Sequence, residues 1–165
     1  MVLLETVSKI ITSKPVTVKW PNDLYVGNKK IAGVLIQNFV KGSAIDVSII
    51  GVGLNINQKV FASNAPNPTS IINETGKEFT PDVLLSQITQ RFGFYLEHLS
   101  TSSIIESVTK NYMQYLYRLG QPGKYKDKNG LFTASVAGID SYGRLILQPE
   151  NGNKLTYGFK EVEFL

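Results

Sequence analysis

The sequence predicts an α+β fold, a mixed sheet with flanking helices over residues 1–119 followed by a small β-barrel over residues 120–165. Three observations predict it. β-prone runs crowd the first 60 residues, helical periodicity dominates residues 80–119, and short strands separated by Gly- and Asn-containing turns take over after Gly120.

The chain opens on apolar residues at helical spacing, Val2, Leu3, Leu4, Val7, Ile10 and Ile11, with no capping residue ahead of them. This reads as the end of a longer helix, stopped by Pro15. Residues 16–20 alternate as a strand. Residues 24–26 and 31–37 flank Gly27-Asn28, a pair suited to a hairpin turn. Residues 45–54 form another β-prone run. Residues 58–70 read as a loop rich in Asn, Pro and Ser, and residues 69–75 as a short helix stopped by Gly76. Thr80-Pro81 suits the start of a longer helix, with Leu84, Ile88, Phe92 and Leu96 as its buried ladder. Ser103-Ile104-Ile105-Glu106 has the form of a capping box for a last helix reaching Leu119. Strands are then expected at 124–126, 131–139, 144–149 and 154–159, with 162–164 closing the barrel.

Composition removes several classes of chemistry. There is no cysteine, so disulfides, thiolate catalysis and Cys-based metal sites are excluded. The single histidine, His98, falls in a helical segment without an obvious partner and reads as a partly exposed helix residue. Residues 1–120 hold 11 Lys/Arg against 8 Asp/Glu and residues 121–165 hold 6 against 5, so neither part has the basic run of a nucleic-acid binder. No apolar run approaches the ~20 residues that cross a bilayer, and the N-terminus lacks a secretory signal pattern. No membrane partner is therefore expected.

The informative residues sit among apolar strands. Asn22 and Asp23 follow Val18-Lys19-Trp20-Pro21, and Lys30 opens Ile31-Ala32-Gly33-Val34-Leu35-Ile36. Polar groups among buried strands cost free energy unless partnered or used, and a hairpin would bring these together. Plain alternatives exist for each: Lys30 as a surface hairpin lysine like Lys29, Asn22-Asp23 as turn residues, Asn55 as a strand-end turn residue. Gly51 and Gly53 do not make a dinucleotide fingerprint; they permit close approach of a ligand or another backbone. Trp20 reads as packing beneath the site, and Tyr112, Tyr115 and Tyr117 as core or interface.

Lys19-Trp20-Pro21-Asn22-Asp23, Lys30-Ile31-Ala32-Gly33 and Gly51-Val52-Gly53-Leu54-Asn55 resemble, in order, three signatures of the catalytic domain of biotin protein ligases. Asn67-Pro68-Thr69-Ser70 and Ala137-Gly138-Ile139-Asp140 within the terminal barrel resemble the same family. The resemblance implies a sheet of the class II synthetase and biotin ligase type, truncated at its N-terminal side, and an SH3-like terminal barrel. It implies ATP-dependent formation of biotinyl-5'-AMP and transfer of biotin to a lysine of a biotin carboxyl carrier domain of a carboxylase. Biotin and ATP would be substrates, with Mg2+. Lys30 and Asp23 would be catalytic. Lys30, Asn22 and Gly33 would contact biotin and the adenylate, Gly53, Leu54 and Asn55 the nucleotide, and Asp23 would help hold Mg2+. The setting would be cytoplasmic.

The family pattern also includes a Gly- and Arg-rich biotin-holding loop and a Ser-Thr-Asn segment upstream of these motifs, and some members add a DNA-binding domain. This chain has none of them, and no arginine among Glu161-Val162-Glu163-Phe164-Leu165. The expectation is therefore a ligase impaired when alone, binding biotin weakly and open to homodimer formation; the alternative is a non-catalytic, ligase-related binding or assembly module. Lipoate ligation fits the Lys-Trp-Pro-Asn-Asp and terminal-barrel combination less well.

Overall fold

The computed structural model describes residues 1–62 and 67–165. Part of the loop expected at 58–70 therefore lies outside the described residues. Two compact units emerge, one of residues 1–17 and 22–99, the other of residues 18–21 and 100–165. The boundary expected at residue 119/120 lies between the last helix, which ends at Gln114, and the next strand, which starts at Pro122.

In the first unit, α1 (Val2–Ile10) buries Leu3, Leu4, Thr6 and Val7 along one stripe. It ends before Pro15 is reached, because Ile11 already has extended backbone, with φ −104° and ψ 102°. Strand β1 (Val16–Lys19) starts here and runs on into the second unit. Strands β2 (Asp23–Val26) and β3 (Lys29–Lys41) form the expected hairpin, with Gly27 at φ 55° in the turn. β3 outruns its expected end at Gln37 because it pairs with β4 (Ala44–Leu54) as far as its last residue, from Ala32–Leu54 to Lys41–Ala44. The sheet order is β1-β2-β3-β4, so β4 is an edge strand.

Helix α2 (Ile71–Thr75) is capped at both ends. The Ser70 hydroxyl accepts from the Asn73 amide, and Gly76 closes the helix at φ 72°. Helix α3 (Pro81–Glu97) starts at Thr80-Pro81 as expected, although Thr80 makes no side-chain cap bond. Its expected buried ladder holds at one rung only: Leu84 is buried, whereas Phe92 is 37% exposed and Leu96 52% exposed. The physical reason is an open apolar groove of about 520 Å3 between α3 and β4, lined by Val52, Leu54, Leu84, Ile88 and Phe92. The ladder residues down to Phe92 face the sheet without closing on it.

The second unit begins with α4 (Ser102–Gln114). The expected capping box is not made: Thr101, not Ser103, occupies the cap position, and no side-chain cap bond forms. The helix also stops five residues short of Leu119, and the chain turns through Gly120 at φ 68°. Strands β5 (Pro122–Asp127), β6 (Gly130–Ile139), β7 (Leu145–Pro149), β8 (Leu155–Tyr157) and β9 (Glu163–Phe164) follow. They make an antiparallel sheet in the order β8-β7-β6-β5-β9, so 162–164 joins through β5 and β8 is the opposite edge. Trp20, Leu116, Tyr125, Ala134, Val136, Leu145, Leu147 and Tyr157 fill its core. Full burial of each large apolar side chain contributes about 1.5–3 kcal/mol. No helix among the described residues is long and apolar enough to cross a membrane.

Candidate functional site

The β2–β3 hairpin brings the chemistry-bearing residues together. Asp23 pairs in register with Gly33, and Gly33 with Gly53, so the three share one face of the sheet. Lys30 reaches over the same spot: its Nζ lies 2.7 Å from Asp23 Oδ1. Both side chains are about one-third exposed, so the pair is in contact with water rather than sealed in the core. Lys29, its neighbour, is exposed.

Three glycines strip this face of side chains. A Cβ on Gly33 would stand 3.2 Å from Asp23 Oδ1 and 3.3 Å from Lys30 Nζ. A Cβ on Gly53 would meet nothing nearer than the Gly33 carbonyl at 3.9 Å, and Gly51 sits opposite Leu35 on the same face. The result is a bare stretch of backbone beside an ammonium group. Such a surface admits a flat or anionic group close to the main chain.

Asn55 follows on that face by strand alternation, but its side chain has a structural bond. Nδ2 donates to the Thr69 carbonyl at 2.9 Å, while the Asn55 amide donates to Ile31 O and its carbonyl accepts from Ile71 N. Asn22 contributes through its backbone, its carbonyl accepting from Val34 N at 2.9 Å. Leu54 is separated from the others: its side chain points to the opposite face and lines the α3 groove. Trp20, read from the sequence as a packing residue, falls in the second unit. It belongs to the core of the second unit, where its Nε1 donates to the Gly143 carbonyl at 2.8 Å. In that unit Tyr112 donates to the Pro21 carbonyl at 3.1 Å, and burial pushes its hydroxyl up to about 12. The Trp20–Pro21 peptide is cis.

The segment 67–69 is the part of the site whose geometry sequence reasoning missed. Lys30 N donates to Asn67 O at 2.9 Å and Thr69 N donates to Lys30 O at 2.8 Å, so both backbone groups of the lysine are held by this segment. The motif at 67–70 is visible in sequence, but a contact across nearly forty positions is not.

Asp23 offers a single carboxylate, already ion-paired. Among the described residues no three His, Cys, Asp or Glu side chains gather as a metal cage. A single carboxylate suits Mg2+ only where waters and phosphate oxygens supply most of its ligands. A cleft of about 770 Å3 in the second unit, lined by Lys126, Asp127, Lys128, Tyr157, Lys160 and Glu163 among others, contains none of the expected site residues.

Residues 1–55 match the model of the biotin/lipoate A/B protein ligase family. The chain is 26% identical over 142 residues to a biotin–[acetyl-CoA-carboxylase] ligase of Paracoccus denitrificans, covering 84% of this chain and 59% of that protein. It is 26% identical over 149 residues to the bifunctional ligase/repressor BirA of Bacillus spizizenii, covering 85% of this chain and 44% of that protein. It thus spans about half the length of these curated relatives. Among solved structures, a mutant biotin protein ligase from Aquifex aeolicus in complex with biotin is similar with a TM-score of 0.76 and 25% identity, over 99% of this chain and 67% of that one.

Proposed function

We propose that this chain, a member of the biotin protein ligase family, supplies the cationic hairpin and the nucleotide floor of a site that makes biotinyl-5'-AMP and passes biotin to a carrier lysine. One observation carries the reading: the Asp23–Lys30 ion pair lies over Gly33 and beside Gly53, where a phosphate could approach both an ammonium and bare backbone.

In the first step a biotin carboxylate oxygen attacks the α-phosphorus of ATP. The P–O bond to pyrophosphate breaks, and pyrophosphate leaves with that bond's electrons. Negative charge grows on the phosphoryl oxygens, and a fixed cation placed there lowers the barrier. Lys30 has that role, touching the biotin carboxylate and the α-phosphate. Asp23 holds the ammonium in place, and Asn22, through its carbonyl bond to Val34, fixes the entry of β2. The bare backbone at Gly33 and Gly53 takes the flat adenylate, with the Leu54 main chain beside it. Asn55 orders the floor and offers its amide to the adenine edge. In the second step the uncharged amine of a carrier lysine attacks the acyl carbon, and AMP leaves. The acceptor is a biotin carboxyl carrier domain, and the reaction belongs to the cytoplasm, with MgATP as substrate.

A second copy of the chain is the proposed neighbour of β4. This edge strand carries exposed Ile45, Val47 and Ile49, and identical edges can pair about a two-fold axis. Sedimentation tests this, and a monodisperse monomer at high concentration removes it.

Calorimetric titration with MgATP, paired with biotin-dependent exchange of labelled pyrophosphate into ATP, tests the main reading. The expected result is nucleotide binding that Lys30→Ala abolishes, with weak biotin binding by the chain alone. A folded wild-type chain with neither ATP binding nor exchange would favour a non-catalytic ligase-related module.

A further inference from the structure

Thr69 joins the two working residues of the site. Its amide donates to the Lys30 carbonyl at 2.8 Å, and its own carbonyl accepts from Asn55 Nδ2 at 2.9 Å. A displaced Thr69, whose N–H and C=O belong to the two peptides on either side of its Cα, would therefore disturb both the lysine and the asparagine. Thr69 itself is buried, at 1% exposure, and its hydroxyl donates to Glu74 Oε1 at 2.6 Å. The other carboxylate oxygen, Glu74 Oε2, lies 2.7 Å from Lys14 Nζ.

This arrangement is costly in isolation. The Glu74 side chain is only 3% exposed, whereas its partner Lys14 is 52% exposed. A carboxylate so covered loses hydration that one half-solvated ammonium only partly restores. The hydroxyl of Thr69 supplies the second charge-assisted bond. Burial pushes Glu74 up, but the bonds from Lys14 and Thr69 and the Lys14 charge bring its carboxyl below the ordinary carboxylate value. Glu74 is therefore held charged with one oxygen fixed on Thr69, and α2, capped by Ser70 and Gly76, gives it a short rigid base.

We propose that Glu74 is a positioning residue for the Lys30 and Asn55 site, acting through the Thr69 hydroxyl to fix the residue whose amide binds Lys30 and whose carbonyl binds Asn55. The proposal rests on the ligase reading for what the site does, but not for the positioning itself. Lys14 tunes the carboxylate from outside and is not required for the Thr69 bond.

The test uses two readouts on the full chain: amide hydrogen exchange at Lys30 and Thr69, and MgATP affinity by calorimetry. Glu74→Ala and Thr69→Val should each speed exchange at those two amides by about tenfold, the loss expected when one buried hydrogen bond is removed. Amides of β6 should not change. MgATP affinity should fall by a similar factor. Glu74→Gln keeps an acceptor for the hydroxyl and should restore both readouts most of the way, and Lys14→Ala should leave both near wild type. Unchanged exchange at Lys30 and Thr69 in folded Glu74→Ala overturns the proposal. So does Glu74→Gln behaving as badly as alanine, since that would make charge alone the cause. If wild type binds no nucleotide while the exchange pattern appears as described, the ligase reading fails and the positioning of Lys30 by Glu74 stands.

Discussion

Lys30 lies over Gly33: a Cβ at residue 33 would stand 3.3 Å from the lysine Nζ. The glycine leaves room for the ammonium to settle on the sheet and meet Asp23. Gly33 is not in the left-handed region, so its role is space and not backbone freedom.

Gly33→Ala should therefore separate stability from function. The atoms that must yield are the flexible ends of Asp23 and Lys30, and an added methyl suits strand backbone slightly better. Thermal unfolding should change by less than about 1 kcal/mol. Nucleotide affinity should fall several-fold because the ion pair is displaced. A loss of fold with no defect specific to nucleotide would contradict the assignment.

Lys30→Ala should be much worse for chemistry than for folding. Removing one placed donor from an electrostatic site costs about 3 kcal/mol in barrier. The ion pair is partly exposed, so its loss should cost at most about 1 kcal/mol of stability. Denaturant unfolding beside pyrophosphate exchange would show the split, and exchange close to wild type in a folded mutant would count against the role.

Acid stability should carry the signature of Glu74. Its carboxyl titrates below the ordinary 4.5 in the folded chain, through burial opposed by the stronger effect of Lys14 and Thr69. A lowered folded value means a stabilising contribution that is complete above 4.5 and fades as pH falls through the folded value. The stability difference between wild type and Glu74→Gln should be largest at neutral pH and shrink in acid. Urea unfolding across that range would reveal a difference independent of pH if the residue were neutral.

Tyr125→Phe should be neutral or stabilising. The residue is fully buried, its ring packs against Phe132 and Phe164, and its hydroxyl has no hydrogen-bond partner among the described residues. Removing an unsatisfied hydroxyl should recover about 1 kcal/mol. A clear loss in thermal unfolding would reveal a partner for the oxygen.

The sequence by itself determined what short-range rules can determine. Gly27, Gly76 and Pro81 lie where the chain turns, caps or starts a helix, and each acts through its own φ or its missing N–H. The Gly27-Asn28 turn between residues 24–26 and 31–37 marked the β2–β3 hairpin, and the ordered motifs around Asn22, Lys30 and Asn55 pointed to a resemblance with biotin protein ligases. The capping box at Ser103 misled for the same reason: it is a local pattern, and the helix starts from Thr101, two residues earlier, with no side-chain cap bond. Only the tertiary structure decided matters that join distant positions. It put Trp20 into the core of the second unit, turned Leu54 away from Gly53, left Phe92 in an open groove and Leu96 exposed, and tied Lys14, Glu74, Thr69 and Lys30 into one bonded chain. Periodicity tells which face of an element is apolar, but what covers that face, and which buried carboxylate finds a lysine sixty positions away, is set by packing.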